Sequence, residues 1–242
     1  MRTLFAFAAV LVLSLSLSVR AGEVIVGTNA EFPPFELTDD NNNIIGFDID
    51  VVKAVGRAAG LDVRMHNQDF DTLVEGLESG KLHAVISGMT ITEARRLKVD
   101  FSDPYYDAAQ VIVIRDNAPA FTAIEELKGK RVGAQLGTTG ALMVEEALGK
   151  DNDNLKQFTK YNEVFAELRL RRLDAVVVDL PVAQAYLKKV PGLKISSEPM
   201  SQEQYGIAVK KGNAELLAKI NEGLAKIRES GEFDEISAKW FD

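Results

Sequence analysis

Three stretches of the chain carry groups suited to holding a small charged molecule. The first is Ser87-Gly88-Met89-Thr90-Ile91-Thr92-Glu93-Ala94-Arg95. It opens at the end of an apolar run, 82–87, and passes through a glycine, whose missing side chain lets backbone approach a ligand closely. Thr90 and Thr92 bring hydroxyls, Thr92 is suited to cap a helix starting at Glu93, and Arg95 falls in that helix's first turn. A guanidinium there matches a carboxylate with two parallel charge-assisted hydrogen bonds. A surface ion pair, the reading taken for Arg96, is the alternative for Arg95. The second stretch, Gly137-Thr138-Thr139-Gly140, precedes a helical pattern. Unpaired N–H groups at a helix start, with two hydroxyls, favour an anion. The lysine and full glycine spacing of a phosphate loop are missing. The third is Asp179, ending an apolar run just before Pro181. Its carboxylate suits an ammonium, or a cap on the helix that follows. An arginine, an anion-binding helix start and an aspartate are together the complement of a zwitterion. The carboxylate would go to Arg95 and the 137–139 turn, the ammonium to Asp179.

Composition removes several other chemistries. The 242 residues hold 28 Lys and Arg against 36 Asp and Glu, a formal net charge of −8, which argues against general nucleic-acid binding. There is no cysteine, hence no disulfide, thiolate nucleophile or cysteine-held metal. His66 and His83 are the only histidines, too few for a histidine-rich metal site or a catalytic triad. No cofactor, metal or catalytic residue is expected.

The elements that would position these groups alternate along the chain. Arg2, an uncharged run over 4–19 and the small residues around Ala21 read as a secretory signal peptide, 1–21. The run is shorter than the roughly 20 apolar residues of a membrane span. Without a cysteine after the signal, lipid anchoring is excluded, and a protein free in the periplasm is expected. Strands are predicted over 23–28, 62–66, 82–87, 131–135, 155–159 and 174–179. Helices are predicted over 47–59, 139–148, 162–171, 181–189, 214–229 and 232–240, from apolar residues at helical spacing. Asp71 is expected to cap a helix carrying Leu73, Val74 and Leu77, and the polar cluster 39–43 to turn a hairpin. Segments 72–87 and 163–178 align without a gap, Leu82 on Leu173 and Ala84-Val85 on Ala175-Val176. Alternating β and α elements with this echo predict an α/β protein of two similar lobes, each a mainly parallel sheet flanked by helices. The crossings are expected near 108–114 and 196–206.

The stretches GTNAEFPPFE, IIGFDIDV, SGMTITEARR, VDFSDPYY, VGAQLGTTG and LDAVVVDLP resemble, in order and spacing, the periplasmic polar amino-acid-binding proteins of ABC importers, solute-binding protein family 3. The resemblance covers essentially the whole mature chain. It implies the type II periplasmic binding protein fold, two lobes joined by two hinge strands and closing on ligand. Lobe 1 would comprise 22–109 and 203–242, lobe 2 110–202. It implies that Arg95 holds an α-carboxylate, helped by Thr90 and the backbone of Thr139, and that Asp179 and the carbonyl of Gly88 hold the α-ammonium. Phe32 and Phe70 match positions flanking the ligand side chain. Asn29, Ser87 and Gln135 match positions reading its tip, and Thr138 belongs to the anion-binding turn. The partners implied are a free polar amino acid and a membrane permease complex, with the binding protein itself a monomer.

The ligand side chain is less constrained. Asn29 stands where many relatives with cationic or amide ligands carry Asp. Phe32 and Phe70 could sandwich a guanidinium, with a cation–π gain of order 0.5–2 kcal/mol, and Glu31 is a nearby carboxylate. A basic amino acid, arginine first, is expected, with glutamine the alternative because Asn29 and Gln135 would suit it. An enzyme on the same scaffold, a periplasmic dehydratase, would need a general acid in the cleft, and Glu31 is the candidate.

Overall fold

The computed structural model describes residues 22–149 and 152–241. The signal peptide expected over 1–21 lies outside them. Two five-stranded sheets carry the chain. In the first, Asp62–Asn67, Glu23–Thr28, Ala84–Val85, Ala208–Lys210 and Val99–Phe101 lie side by side in that order. In the second the order is Leu155–Phe158, Val132–Gln135, Ala175–Asp179, Gln110–Arg115 and Leu193–Ile195. The first three strands of each are parallel and the fourth runs antiparallel. The fourth strand of each sheet is the one that has just crossed from the other. Tyr106–Ala108 carries the chain out and Glu203–Tyr205 brings it back, and the two pair antiparallel, Tyr106 opposite Tyr205.

Burial follows from the sequence. Ala175–Asp179 is buried at every position, as the centre of a sheet covered on both faces requires. Helix Phe47–Ala59 turns Phe47, Ile49, Val51, Val52, Ala54 and Val55 inward. It ends where Gly60 takes φ 68, a left-handed stop. In the 39–43 turn the Asp39 carboxylate accepts the N–H groups of Asn41 and Asn43, both at 2.8 Å. Phe35 gathers aromatic rings where the crossing strands meet: Tyr106 at 4.9 Å, Tyr205 at 5.3 Å and Phe241 at 5.5 Å.

Two local expectations are corrected. Asp71 caps nothing: it lies in a short turn, Phe70–Thr72, and helix Leu73–Glu78 begins without a side-chain cap. The 82–87 strand pairs only over Ala84–Val85, because the chain bends away on both sides. The helix expected at Glu93 is there as a single turn, Glu93–Arg96, with Thr92 as its cap accepting the N–H of Arg95 at 3.2 Å.

The echo between 72–87 and 163–178 maps onto equivalent places. Ala84-Val85 and Ala175-Val176 sit in the third strand across their own sheets, with Val85 and Val176 opposite Gly27 and Gly133 in the second. A Cβ on Gly27 would lie 2.4 Å from Leu82 Cδ1, and one on Gly133 2.4 Å from Leu173 Cδ1. Each sheet thus needs a glycine under the leucine that closes its helix. Gly133→Ala is expected to destabilise the protein by about 1–3 kcal/mol through overpacking, seen as a lower urea midpoint at unchanged m-value. Adding Leu173→Ala should restore part of the loss.

Candidate functional site

A narrow, nearly filled cavity of about 10 Å³ lies between the sheets, lined by Asn29, Phe32, Glu36, Phe70, Ser87, Gly88, Thr90, Arg95, Gln135, Thr138, Thr139 and Asp179. Every site residue expected from sequence is on this wall. Glu36 is the addition. The site sits where strands end, at the edge where helices begin, as α/β sheets dictate.

Arg95 reaches both sides. Its Nη1 donates to the carbonyl of Thr90 at 2.7 Å and its Nη2 to the carbonyl of Gly137 at 3.0 Å. The guanidinium also lies 5.3 Å from the centroid of the Phe70 ring. Two of five N–H groups are thereby engaged, which leaves three for an acceptor. Burial lowers the Arg95 pKa to about 10, and the charges of Glu203 and Asp179 oppose that shift; the group stays cationic. Arg96, by contrast, makes an exposed 3.9 Å pair with Glu93 and lies 5.9 Å from the centroid of the Phe101 ring.

Asp179 occupies the cap position of helix Leu180–Lys189 but makes no side-chain cap bond. Its Oδ1 accepts the hydroxyl of Tyr205 at 2.5 Å instead. The geometry decides between the two roles left open by the sequence: this carboxylate does not serve the helix. Burial first, then the charge of Glu203, raises its pKa from 3.8 to about 7, against hydrogen bonds from Tyr205 and Gln110.

Thr138 is the side chain that caps. Its hydroxyl accepts the N–H of Ala141 at 3.2 Å and donates to the carbonyl of Gln135 at 2.7 Å. That fixes the start of helix Thr139–Leu148 against the strand before it.

Asn29 and Gln135 meet. Gln135 Nε2 donates to Asn29 Oδ1 and to the carbonyl of Thr159, both at 2.8 Å, and Asn29 Nδ2 donates to the carbonyl of Gln68 at 3.0 Å. A backbone carbonyl can only accept, so these bonds orient both amides. Their donors face protein and their oxygens remain acceptors. Ser87 is likewise committed: it accepts the N–H of Asn29 at 3.0 Å and donates to Glu36 at 2.9 Å. Gly88 has φ 48, and a Cβ there would lie 2.5 Å from the Phe32 ring. The glycine is therefore required by its backbone and by that ring.

Glu36 is fully buried. Its hairpin register sets it opposite Phe32. Burial and the charge of Asp48 push its pKa well above the usual carboxylate range, while Asp48 is raised to about 6 by burial, against hydrogen bonds from Gly88 and Tyr105. Raised this way, Glu36 favours its protonated form; its Oε2 and Asp48 Oδ1 are buried with no other partner, while Asp48 Oδ2 accepts Gly88 N–H and Tyr105 O–H, each at 2.8 Å. The only sequence signal for Glu36 was an acid inside an aromatic run. Glu31, the acid singled out instead, is off the cavity wall and pairs with Lys160 at 3.6 Å. His83 accepts the N–H of Ile25 at 2.9 Å, a structural role.

Residues 24–242 match the family model of bacterial extracellular solute-binding proteins, family 3. The chain belongs to this family. Among family 3 relatives, a probable histidine-binding protein of Neisseria gonorrhoeae is 37% identical over 89% of this chain and 82% of its own. The ABC transporter arginine-binding protein 1 of Escherichia coli K12 is 35% identical over 96% and 97%. The solved structure of an ancestral arginine-binding protein bound to arginine superposes with a TM-score of 0.89 at 46% identity, covering 92% of this chain and all of that one. The two-lobed α/β architecture is thus that of the family's arginine-binding members. Among the described residues no helix is long and apolar enough to cross a membrane.

The buried Asp179 gives a stability test. Its folded-state pKa lies above its unfolded value, so the folded state holds a proton that the unfolded chain has released. Stability from this group is then lost as pH rises between the two values. Asp179→Asn should stabilise the protein by about 1–3 kcal/mol at pH 8. The gain should grow from about pH 4 to about pH 7 and stay level above, as measured by urea unfolding in the absence of amino acids.

Proposed function

We propose that the protein is the solute-binding component of an amino-acid ABC importer. It takes a basic L-amino acid, arginine before lysine or histidine, from the periplasm, closes two lobes over it, and delivers it to a membrane permease. The lobes are 22–109 with 203–242, and 110–202, and the protein works as a free monomer without cofactor. One observation carries this reading: Arg95 and Asp179 line the same small cavity from different sheets, close enough for the guanidinium to feel the Asp179 charge. An α-carboxylate set against the free N–H groups of Arg95 and an α-ammonium set against Asp179 would neutralise both. Gly88 and the start of helix Thr139–Leu148 flank these groups on the same wall. The ligand's far end meets Phe32, Phe70 and the acceptor oxygens of Asn29 and Gln135, which favours a side chain rich in N–H donors. The arginine- and histidine-binding relatives agree with that preference. The extracellular setting of the family agrees with the periplasm.

The decisive experiment is a thermal-shift screen of the amino acids, since a ligand at 100 times its Kd stabilises by about 2.7 kcal/mol. Arginine is expected to give the largest shift. A shift with glutamine alone would move the assignment to the carboxamide, which can donate to the same acceptors; no shift with any amino acid overturns the reading. Arg95→Ala should fold and lose ~100-fold or more in affinity, because the ligand carboxylate would be buried unpaired. Binding should release a large fraction of a proton per ligand near pH 6.5, where Asp179 is mostly protonated. Calorimetry in buffers of different ionisation enthalpy measures this. A dehydratase on this cavity would have to use Glu36, so turnover of prephenate-type compounds that is lost in Glu36→Gln would replace transport with catalysis.

A further inference from the structure

Glu203 was not among the residues expected from sequence, and it does not line the cavity. It lies on the returning crossing strand, Glu203–Tyr205, and borders a groove on the far side of the crossing strands, with Tyr106, Ala108 and Pro181. Its carboxylate reaches through to the back of the cavity wall. Oε2 accepts the hydroxyl of Thr90 at 2.7 Å and that of Thr139 at 2.8 Å. Oε1 accepts the hydroxyl of Ser201 at 3.0 Å, and Ser201 in turn takes the N–H of Gln110 at 2.9 Å. Thr90 belongs to the loop after the first sheet's central strand, and Thr139 opens a helix of the second sheet. We propose that Glu203 is the clasp of the closed form: one carboxylate oxygen on the crossing strand binds a hydroxyl from each lobe and so positions Arg95 and the helix start for the ligand's carboxylate.

Chemistry and connectivity support the assignment. O–H donors on a carboxylate make short, charge-assisted bonds, stronger than bonds between neutral groups. The Thr90 carbonyl accepts Arg95 Nη1 at 2.7 Å, so holding Thr90 holds the guanidinium. Ile91 N–H donates to the carbonyl of Gln204 at 2.8 Å, tying the same loop to the same strand. Thr139 Oγ1 also accepts Gln110 Nε2 at 3.2 Å. With its proton on Glu203 and Gln110 at its lone pair, that hydroxyl is committed to the protein. The carboxylate of a ligand would then be met by Arg95 and by main-chain N–H groups, with the two threonine hydroxyls serving closure. Glu203 is thus a positioning residue, and its assignment rests on the proposed closure over an amino acid.

The chain has no cysteine, which makes closure measurable. Glu75→Cys and Glu163→Cys, at exposed positions on helices of the two sheets, accept a pair of spin labels. The distance distribution is recorded in the full chain without ligand and with L-arginine. Glu203→Ala should move the ligand-free distribution toward the open separation and weaken arginine binding by ~10–100-fold, mostly through faster release. Thr139→Val should weaken binding similarly in the native background and not further in Glu203→Ala. Glu203→Gln, which keeps an acceptor but no charge, should fall between native and Ala. An unchanged ligand-free distribution in Glu203→Ala, or a Thr139→Val loss that simply adds to it, overturns the clasp. If no amino acid binds but Glu203→Ala still opens the protein, the clasp stands and the ligand assignment fails, so the two readings separate. Should Glu203→Ala unfold, as urea titration would reveal, the Gln and Thr139→Val variants decide alone.

Discussion

The guanidinium of Arg95 is held by the carbonyl of Thr90 on one side and that of Gly137 on the other. A cation removed from water this far needs acceptors or an opposite charge, because desolvation otherwise drives it toward neutrality. Here the acceptors come from segments that belong to different sheets. The relative position of those sheets is therefore part of the electrostatics. Separating them would return Arg95 to water and detach it from Gly137, and the same movement would part Gln135 from Asn29 and Thr139 from Glu203. The opposite charge, Asp179, is on the second sheet and is held near pKa 7 by burial. The pair is thus poised rather than satisfied. A zwitterion between them would relieve the desolvation of both, and this couples ligand capture to lobe position.

The placement follows from an internal near-symmetry. In each sheet the second strand across carries a glycine, Gly27 or Gly133, paired with Val85 or Val176 in the third strand across. Two residues beyond those glycines stand Asn29 and Gln135. Three residues beyond the valines stand Gly88 and Asp179. All four line the cavity, and Asn29 and Gln135 touch across it at 2.8 Å. Parallel strands of βα units finish at one edge; two such edges face to face put corresponding residues opposite each other. The symmetry breaks where the proposed zwitterion would need it to, a bare carbonyl from Gly88 against a carboxylate from Asp179.

Much of this was legible in local sequence. The helix over 47–59, the strands, and the clusters around Arg95, Thr139 and Asp179 are written in runs of adjacent residues, and the echo of Leu82 in Leu173 pointed to paired lobes. What was not legible depended on distant partners or on backbone direction. Whether Asp179 caps its helix is a matter of one χ angle, and Tyr205, 26 positions away, decides it. Asp71 has the type and place of a cap, but the chain makes a tight turn there and Thr72 takes the cap position, without a side-chain bond to the helix. Glu203 bonds to Thr90 and Thr139 across 113 and 64 positions, which no periodicity encodes. Glu31 and Glu36 are both acids in one short motif, and only the hairpin register sends the second inward.

The inward acid raises a physical question of its own. A carboxyl at Glu36, buried beside Asp48, would be untenable if both were ionised, since like charges without water between them repel strongly. Sharing one proton reduces the pair to a single negative charge. Asp48 keeps two strong donors, Gly88 N–H and Tyr105 O–H, while Glu36 takes the hydroxyl of Ser87, which in turn receives Asn29 N–H. The pair thereby grips both strand ends of the first sheet: Gly88, with φ 48, and Asn29. An apolar pair of similar volume could fill the same space, but it would leave the N–H of Gly88 and the hydroxyls of Tyr105 and Ser87 without these acceptors, each loss worth about 1–3 kcal/mol. The acid pair is therefore best understood as scaffolding for the cavity wall, and the negative charge it retains lies on the Gly88 side, where it adds to the attraction of that wall for a cation.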